Sequence, residues 1–164
     1  MNGTGLQRVL FVCLGNICRS AMAEGIMRHK IAARGLTDSF ACDSAGFDHS
    51  TPGMAADDRA VAAAGRRGIA VETVARRVRA ADYREFDVIL AMDRSNLAAL
   101  RAGCPQDLQH KLHLVREFDT PPATDGQIAD PYYGTQSDFE LAFEILDRCT
   151  DAIINRYGPT AAGE

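Results

Sequence analysis

A short apolar strand that runs through a tight turn into a helix constrains this chain more than any other feature. Arg8-Val-Leu-Phe-Val-Cys13 is β-branched and aromatic, and reads as a buried strand. Leu14-Gly15-Asn16 follows as a turn signal. A helix is predicted from Ser20, with Met22, Ala23, Ile26, Met27 and Ile31 on one face and Arg28, Lys30 and Arg34 mainly on the other. Gly35 supplies its C-terminal stop.

The same alternation continues along the chain. Phe40–Ala45 and Phe86–Ala91 read as strands, and Lys111–Val115 as a weaker fourth. Helices are predicted over Asp57–Ala64 and from Arg94 to Ala102. Thr120–Gly134, with three Pro and two Gly, must be a long loop, and loops of that length are often functional. In the last helix Phe139, Ala142, Phe143, Leu146, Cys149, Ile153 and Tyr157 recur at helical spacing. Ser137-x-x-Glu140 reads as its capping box, Gly158-Pro159 as its end, and 159–164 as a frayed tail. The expected fold is α/β: one domain spanning 1–164, a parallel four-stranded sheet with helices on both faces, and a phosphate-binding loop after the first strand. In such sheets ligands bind at the carboxyl ends of the strands, so the first loop is where chemistry is expected.

Composition narrows the function classes. A net charge of −4 argues against a nucleic-acid binder, which usually shows a basic face. Arg66-Arg67 and Arg76-Arg77-x-Arg79 are local basic patches, read first as solvated faces and second as a surface that greets anionic substrates. No apolar run approaches the length of a membrane span, and Met1-Asn2-Gly3-Thr4 does not look like a signal peptide. The five cysteines are odd in number and widely spaced, so a reducing compartment, the cytoplasm, is expected rather than a disulfide framework.

The loop itself reads Cys13-Leu14-Gly15-Asn16-Ile17-Cys18-Arg19-Ser20. A short loop curling into a helix N-terminus can point successive backbone N–H groups at one spot, and such a nest binds a tetrahedral oxyanion. Gly15 and Asn16 tolerate the left-handed backbone that the curl needs. Arg19 adds a planar fork for two phosphate oxygens. At the bottom of the cup, the N–H groups, the helix dipole and Arg19 all favour thiolate over thiol at Cys13. Ser20 could donate a hydrogen bond to the sulfur and help it leave later. A cup with a thiolate at its base suits in-line attack on phosphorus. The plainer alternative is a core cysteine at a strand end and an arginine that caps or solvates the helix.

The stretch Val9-Leu-Phe-Val-Cys-Leu-Gly-Asn-Ile-Cys-Arg-Ser20-Ala-Met-Ala-Glu24 resembles the opening of the low-molecular-weight protein tyrosine phosphatases, with Ala21 where that family commonly has Pro. Further similarity lies at Ser44-Ala45-Gly46, Asp57-x-Arg59-Ala60, Gly68-Ile69, Ala75-Arg76, Ala91-Met92-Asp93-x-x-Asn96 and Asp130-Pro131-Tyr132-Tyr133-Gly134. The resemblance implies a metal-independent, cofactor-free reaction in two steps, with Cys13 as nucleophile and Asp130 as acid and then base. Spacing alone would leave Asp130 a turn residue. Pro131 restricts Asp130 to extended backbone, which could aim the carboxylate. The resemblance also implies that Cys18 can form a reversible disulfide with Cys13, although a packing role is as good a reading. Tyr132 and Tyr133 resemble the family's aromatic rim.

Two departures bear on specificity. The family often places an aromatic residue, frequently Trp, in the loop after Ser-Ala-Gly; the offset here falls on Ser50, and Phe47 or His49 are the candidate substitutes for that wall. Mammalian-type members carry a His before Gly-Ile where this chain has Arg67, so the hydrogen bonding that supports the loop is expected to differ. The implied partners are phosphotyrosine-bearing proteins, a bacterial tyrosine kinase among them, and inorganic phosphate or other oxyanions in the loop, with no nucleic acid and no membrane. Three rival functions have handles in the sequence. Arsenate reduction needs two neighbouring relay cysteines, whereas Cys104 and Cys149 are far apart. Arginine-phosphate hydrolysis goes with Thr at the position of Ile17. A non-catalytic phosphate binder should have lost Cys13 or Asp130.

Overall fold

The computed structural model describes residues 5–121 and 125–159. Most of the expected frayed tail, 160–164, and residues 122–124 of the long loop lie outside the described residues, as do 1–4. Four strands, β1 (Gln7–Val12), β2 (Phe40–Ala45), β3 (Val88–Ala91) and β4 (Leu112–Leu114), form a parallel sheet in the order β2-β1-β3-β4. β1 is flanked on both sides, with Val9 in register with Cys42 of β2 and Val88 of β3. Its last four residues are fully buried, and the pleat sends Val9 and Phe11 into one apolar cluster and Leu10 and Val12 into the other.

Helices fill both faces, as the alternating pattern requires. α1 (Arg19–Ala33), α2 (Asp58–Gly65) and α5 (Gln136–Tyr157) close the Val9/Phe11 side. α3 (Asp82–Glu85) and α4 (Arg94–Gly103) close the Leu10/Val12 side through Tyr83, Leu97 and Leu100. The α5 stripe of Phe139, Phe143, Leu146, Cys149 and Ile153 is buried. Burying each of its larger apolar side chains contributes about 1.5–3 kcal/mol. Among the described residues no helix is long and apolar enough to cross a membrane.

From β1 the chain crosses to β2 on one side and later returns to β3 on the other. The strand order therefore reverses beside β1, which opens a crevice at the carboxyl ends of β1 and β3. Residues 13–18 start there, and Arg19 begins α1 one residue before the expected Ser20. At the other end of α1, Gly35 has φ 67°, its N–H donates to Ala32 O, and Leu36 N–H reaches back to Ile31 O. That double closure is the glycine stop expected there.

Several elements differ from the sequence expectation. β3 begins at Val88 because Asp82–Glu85 forms a turn of helix just before it, stopped by Phe86 in extended backbone. β4 is shortened to three residues by 3₁₀ turns over Gln106–Lys111 and Val115–Phe118. The cap of α5 is Thr135 with Asp138, not Ser137 with Glu140: the Asp138 carboxylate accepts the Thr135 backbone N–H at 2.7 Å. Glu140 lies two residues further on and is taken by Arg66 and Arg67 at 3.0 and 2.7 Å.

Candidate active site

The end of β1 delivers Cys13 to the floor of a cavity of ≈ 270 Å³. Leu14, Gly15, Ile17, Cys18 and Arg19 continue its wall from the loop, and Asp130, Tyr132 and Tyr133 form the opposite side. Asn16 sits at φ 57°, the left-handed region that Asn tolerates better than most side chains. Gly46 lets the loop lie close to β2's end: a Cβ there would stand 2.6 Å from Leu14 O and 3.0 Å from Asn16 N. Leu14 O in turn accepts the N–H groups of Phe47 and Asp48 at 2.8 and 2.9 Å. Among the described residues, no partner within the chain takes the N–H groups of Leu14, Gly15, Ile17, Cys18 or Arg19.

Asn16 organises the sulfur. The Arg76 backbone N–H can only donate, and it reaches Asn16 Oδ1 at 3.0 Å, so Nδ2 is the donor end of that amide. Nδ2 gives its hydrogens to Ser20 Oγ at 2.8 Å and Ser44 Oγ at 2.9 Å. Ser44 passes its own hydrogen to Glu24 Oε1 at 2.6 Å. Ser20 Oγ, already accepting from Asn16, lies 3.0 Å from Cys13 Sγ, and Asn16 N–H reaches the same sulfur at 3.3 Å. A backbone N–H and a hydroxyl thus converge on Sγ, and both can donate to it when the sulfur carries charge. Glu24 ends the chain as a buried carboxylate that also accepts from Thr73 at 3.1 Å and Arg28 at 2.8 Å.

Arg19 is 1 % exposed. Its Nη1 donates to Asp93 Oδ2 and to Ile128 O, each at 2.8 Å. Asp93 is held in turn as the N-cap of α4, where its other oxygen accepts from Asn96 N–H. The remaining edge is lightly engaged: Nη2 lies 3.5 Å from Asp130 Oδ2, and Nε is buried without a partner. An arginine anchored through one nitrogen, with its Nε–Nη2 edge left over, is preset for bidentate binding of an oxyanion. Asp130 itself is 40 % exposed at the side chain, and its Oδ1 accepts Tyr132 N–H at 3.1 Å.

Tyr132 and Tyr133 stand edge to face with ring centres 4.9 Å apart, and Tyr133 is almost fully exposed. Ser50 lines the cavity beside Asp48, Thr51 and Met54, but Phe47 and His49 do not. Phe47 is drawn instead against the Leu10/Val12 cluster, because its apolar ring gains more by packing under the sheet than at a wet rim. Cys18 is buried as a free thiol, and burial, with the Asp57 carboxylate second, pushes its pKa well up.

Among the described residues Arg67 makes no hydrogen bond to the loop, so the support of the loop comes from elsewhere. Arg67 bonds Ala63 O and Glu140 and lies over the Phe143 ring at 4.4 Å. The residue that joins the loop network is Thr73. Sequence reasoning also assigned no role to Ser44, Glu24, Asp57, Arg59 or Asp93, although all five fall inside the short matches that carried the family resemblance. The basic patches are largely neutralised: Arg66 and Arg67 by Glu140, Arg76 by Asp43 and Asp82, Arg79 by Asp82. Cys104 and Cys149 pack in clusters on opposite faces of the sheet.

The fold and the cup define a parallel α/β protein with a cysteine-centred cup of unpartnered N–H groups at its topological switch point. The family model for low molecular weight phosphotyrosine protein phosphatases matches residues 8–157. A low molecular weight phosphotyrosine protein phosphatase of Rattus norvegicus is 36% identical over 158 residues, covering 95% of this chain and 99% of its own. Low molecular weight phosphotyrosine protein phosphatase 2 of Drosophila melanogaster is 40% identical over 148 residues, covering 90% and 88%. The crystal structure of a protein tyrosine phosphatase from Entamoeba histolytica with Hepes in the active site has a TM-score of 0.87 at 37% identity, covering 92% of this chain and 96% of its own. The chain belongs to the low molecular weight phosphotyrosine protein phosphatase family.

Proposed function

We propose that this chain hydrolyses phosphotyrosine in proteins through a phosphocysteine on Cys13, with Arg19 holding the phosphoryl group and Asp130 moving the proton. The observation that carries the reading is the convergence of Cys13, Arg19 and Asp130 on one cavity, with the Arg19 Nε buried and unpartnered. In the first step the Cys13 thiolate attacks phosphorus as the bond to the phenolic oxygen breaks, and Asp130 gives that oxygen its proton. Arg19 and the unpartnered loop N–H groups hold the equatorial oxygens, where charge builds. In the second step water attacks the phosphorus and Asp130, now a carboxylate, takes its proton. The S–P bond breaks, and the Ser20 hydroxyl stabilises the departing thiolate. Orthophosphate leaves and the enzyme returns to its starting protonation.

Tyr132 and Tyr133 wall the cavity mouth and suit a flat phenyl ring, and Ile17 in the wall favours an aryl over a guanidino phosphate. Phosphotyrosine-bearing proteins, a bacterial tyrosine kinase among them, are the partners this site would take, and inorganic phosphate would occupy it as product. The free cysteines suit a reducing compartment such as the cytoplasm.

The test is turnover of para-nitrophenyl phosphate, phosphotyrosine, phosphoserine and phosphoarginine, with chelator present, by wild type, Cys13→Ser and Asp130→Asn. Turnover of the aryl esters, abolished by Cys13→Ser and slowed by about 10²-fold or more in Asp130→Asn, is expected. Preference for phosphoarginine would overturn the substrate, and absence of turnover on every ester would overturn the activity.

A further inference from the structure

Asp130 is carried by an exposed segment, yet its reaction demands placement to within about half an ångström. Something must hold residues 129–134. Among the described residues, the hydrogen bonds that reach the backbone of this segment from outside come from one side chain, Arg59. Its Nη2 donates to Tyr132 O at 2.9 Å and its Nη1 to Gly134 O at 3.3 Å. Nε and the same Nη2 grip Asp57 as a fork, Nε to Oδ1 at 3.0 Å and Nη2 to Oδ2 at 2.9 Å. The guanidinium plane lies 4.5 Å from the Phe139 ring at the start of α5 and 5.7 Å from that of Tyr132. The far end of this fork is tied to the cup, because Asp57 N–H donates to Ile17 O at 2.8 Å.

From these contacts we infer that Arg59 is a positioning residue that sets the register between the acid-bearing segment and the phosphate loop. The inference rests on the assignment of Asp130 as acid and base. Arg59 does not line the cavity, so it acts through the segment that carries Asp130 and not on the reacting atoms. Only a planar fork can serve Asp57 and two carbonyls together; a lysine ammonium keeps the charge and loses the geometry. A misplaced acid matters in proportion to how much the leaving group needs a proton. Loss of Arg59 should therefore depress poor leaving groups selectively.

The experiment compares kcat/KM for phenyl phosphate and 2,4-dinitrophenyl phosphate in wild type, Arg59→Lys, Arg59→Ala, Asp130→Asn and Arg59→Lys/Asp130→Asn, with competitive inhibition by inorganic phosphate measured alongside. Arg59→Lys is expected to lower kcat/KM for phenyl phosphate by about 10-fold or more, and for the dinitrophenyl ester by less than about 3-fold, a share of what a general acid supplies. Inhibition by phosphate should stay within about 2-fold, because the cup is untouched, and the double variant should be little slower than Asp130→Asn. Equal losses on both esters, or losses that multiply in the double variant, would show a general structural role and overturn the inference. If Arg59→Ala does not fold, Arg59→Lys alone decides. Should Asp130→Asn itself show no dependence on the leaving group, the acid assignment fails instead, and the two failures are told apart.

Discussion

Residues 13–20 and residues 129–134 face the same cavity, but one group is mostly buried and the other mostly exposed. The phosphate loop is held from several directions: by the Asn16 network, by the N–H groups of Phe47 and Asp48 on Leu14 O, and by Asp57 N–H on Ile17 O. The acid segment is held at its backbone by Arg59 and at Asp130 by a 3.5 Å approach to Arg19. The contrast suits the chemistry proposed for each. A thiolate needs fixed donors that cannot relax when charge moves onto phosphorus. An acid that must protonate a leaving group, admit water and then take a proton back works from a solvent-accessible position.

The comparison breaks first at Asn16. Asn16→Ala removes bonds to Ser20, Ser44 and Arg76 and puts a less tolerant residue at φ 57°. We expect a loss of about 2–4 kcal/mol in denaturant unfolding and about 10-fold or more in kcat/KM on every leaving group. Alkylation of Cys13 by iodoacetamide should slow as well, since Ser20 is no longer oriented toward the sulfur. A variant that alkylates and unfolds like wild type would mean that the loop holds its shape without this network.

A smaller effect sits at the joint between the two regions. The hydrogen bond from Arg59, opposed by partial burial, holds the Asp57 carboxyl below its usual range. With the folded value depressed, the pair's contribution is complete above the unfolded value of about 3.9 and fades as pH falls through the folded one. Wild type should therefore lose stability faster than Asp57→Asn between about pH 5 and pH 2, and the two curves should converge at the acid end. Parallel curves would show that the Asp57–Arg59 pair does not bind the regions together.

The two regions also differ in how much of them the sequence discloses. The cup is dense and local: strand, turn, cysteine, asparagine and arginine fall within a dozen residues, and their residue types state the chemistry. Asp130 lies more than a hundred residues downstream, and spacing alone left it a turn residue until the family pattern picked it out. The support of both is three-dimensional. Glu24, Ser44 and Thr73 come from α1, β2 and a loop, and converge only when the sheet order places β2 beside β1. Thr73 carries no signal of its own, whereas Arg67, next to a family landmark, points away to Glu140 and Phe143. Phe47 was a candidate wall by its aromaticity, and packing against the second cluster decided otherwise. The fold was more legible because alternation is a sum over many residues. Its errors fell where short-range geometry decides, in α3, in the two 3₁₀ turns and in the cap of α5.

The central claim is a covalent phosphoryl group on Cys13. Mixing Asp130→Asn with 2,4-dinitrophenyl phosphate tests it directly, because that leaving group needs no acid while hydrolysis of the intermediate still lacks its base. After acid quench and digestion, mass analysis should find one phosphoryl group on the peptide that carries Cys13 and none when Cys13→Ser is added. A phosphoryl group on another side chain, or release of phosphate with no covalent intermediate under these conditions, would contradict the account.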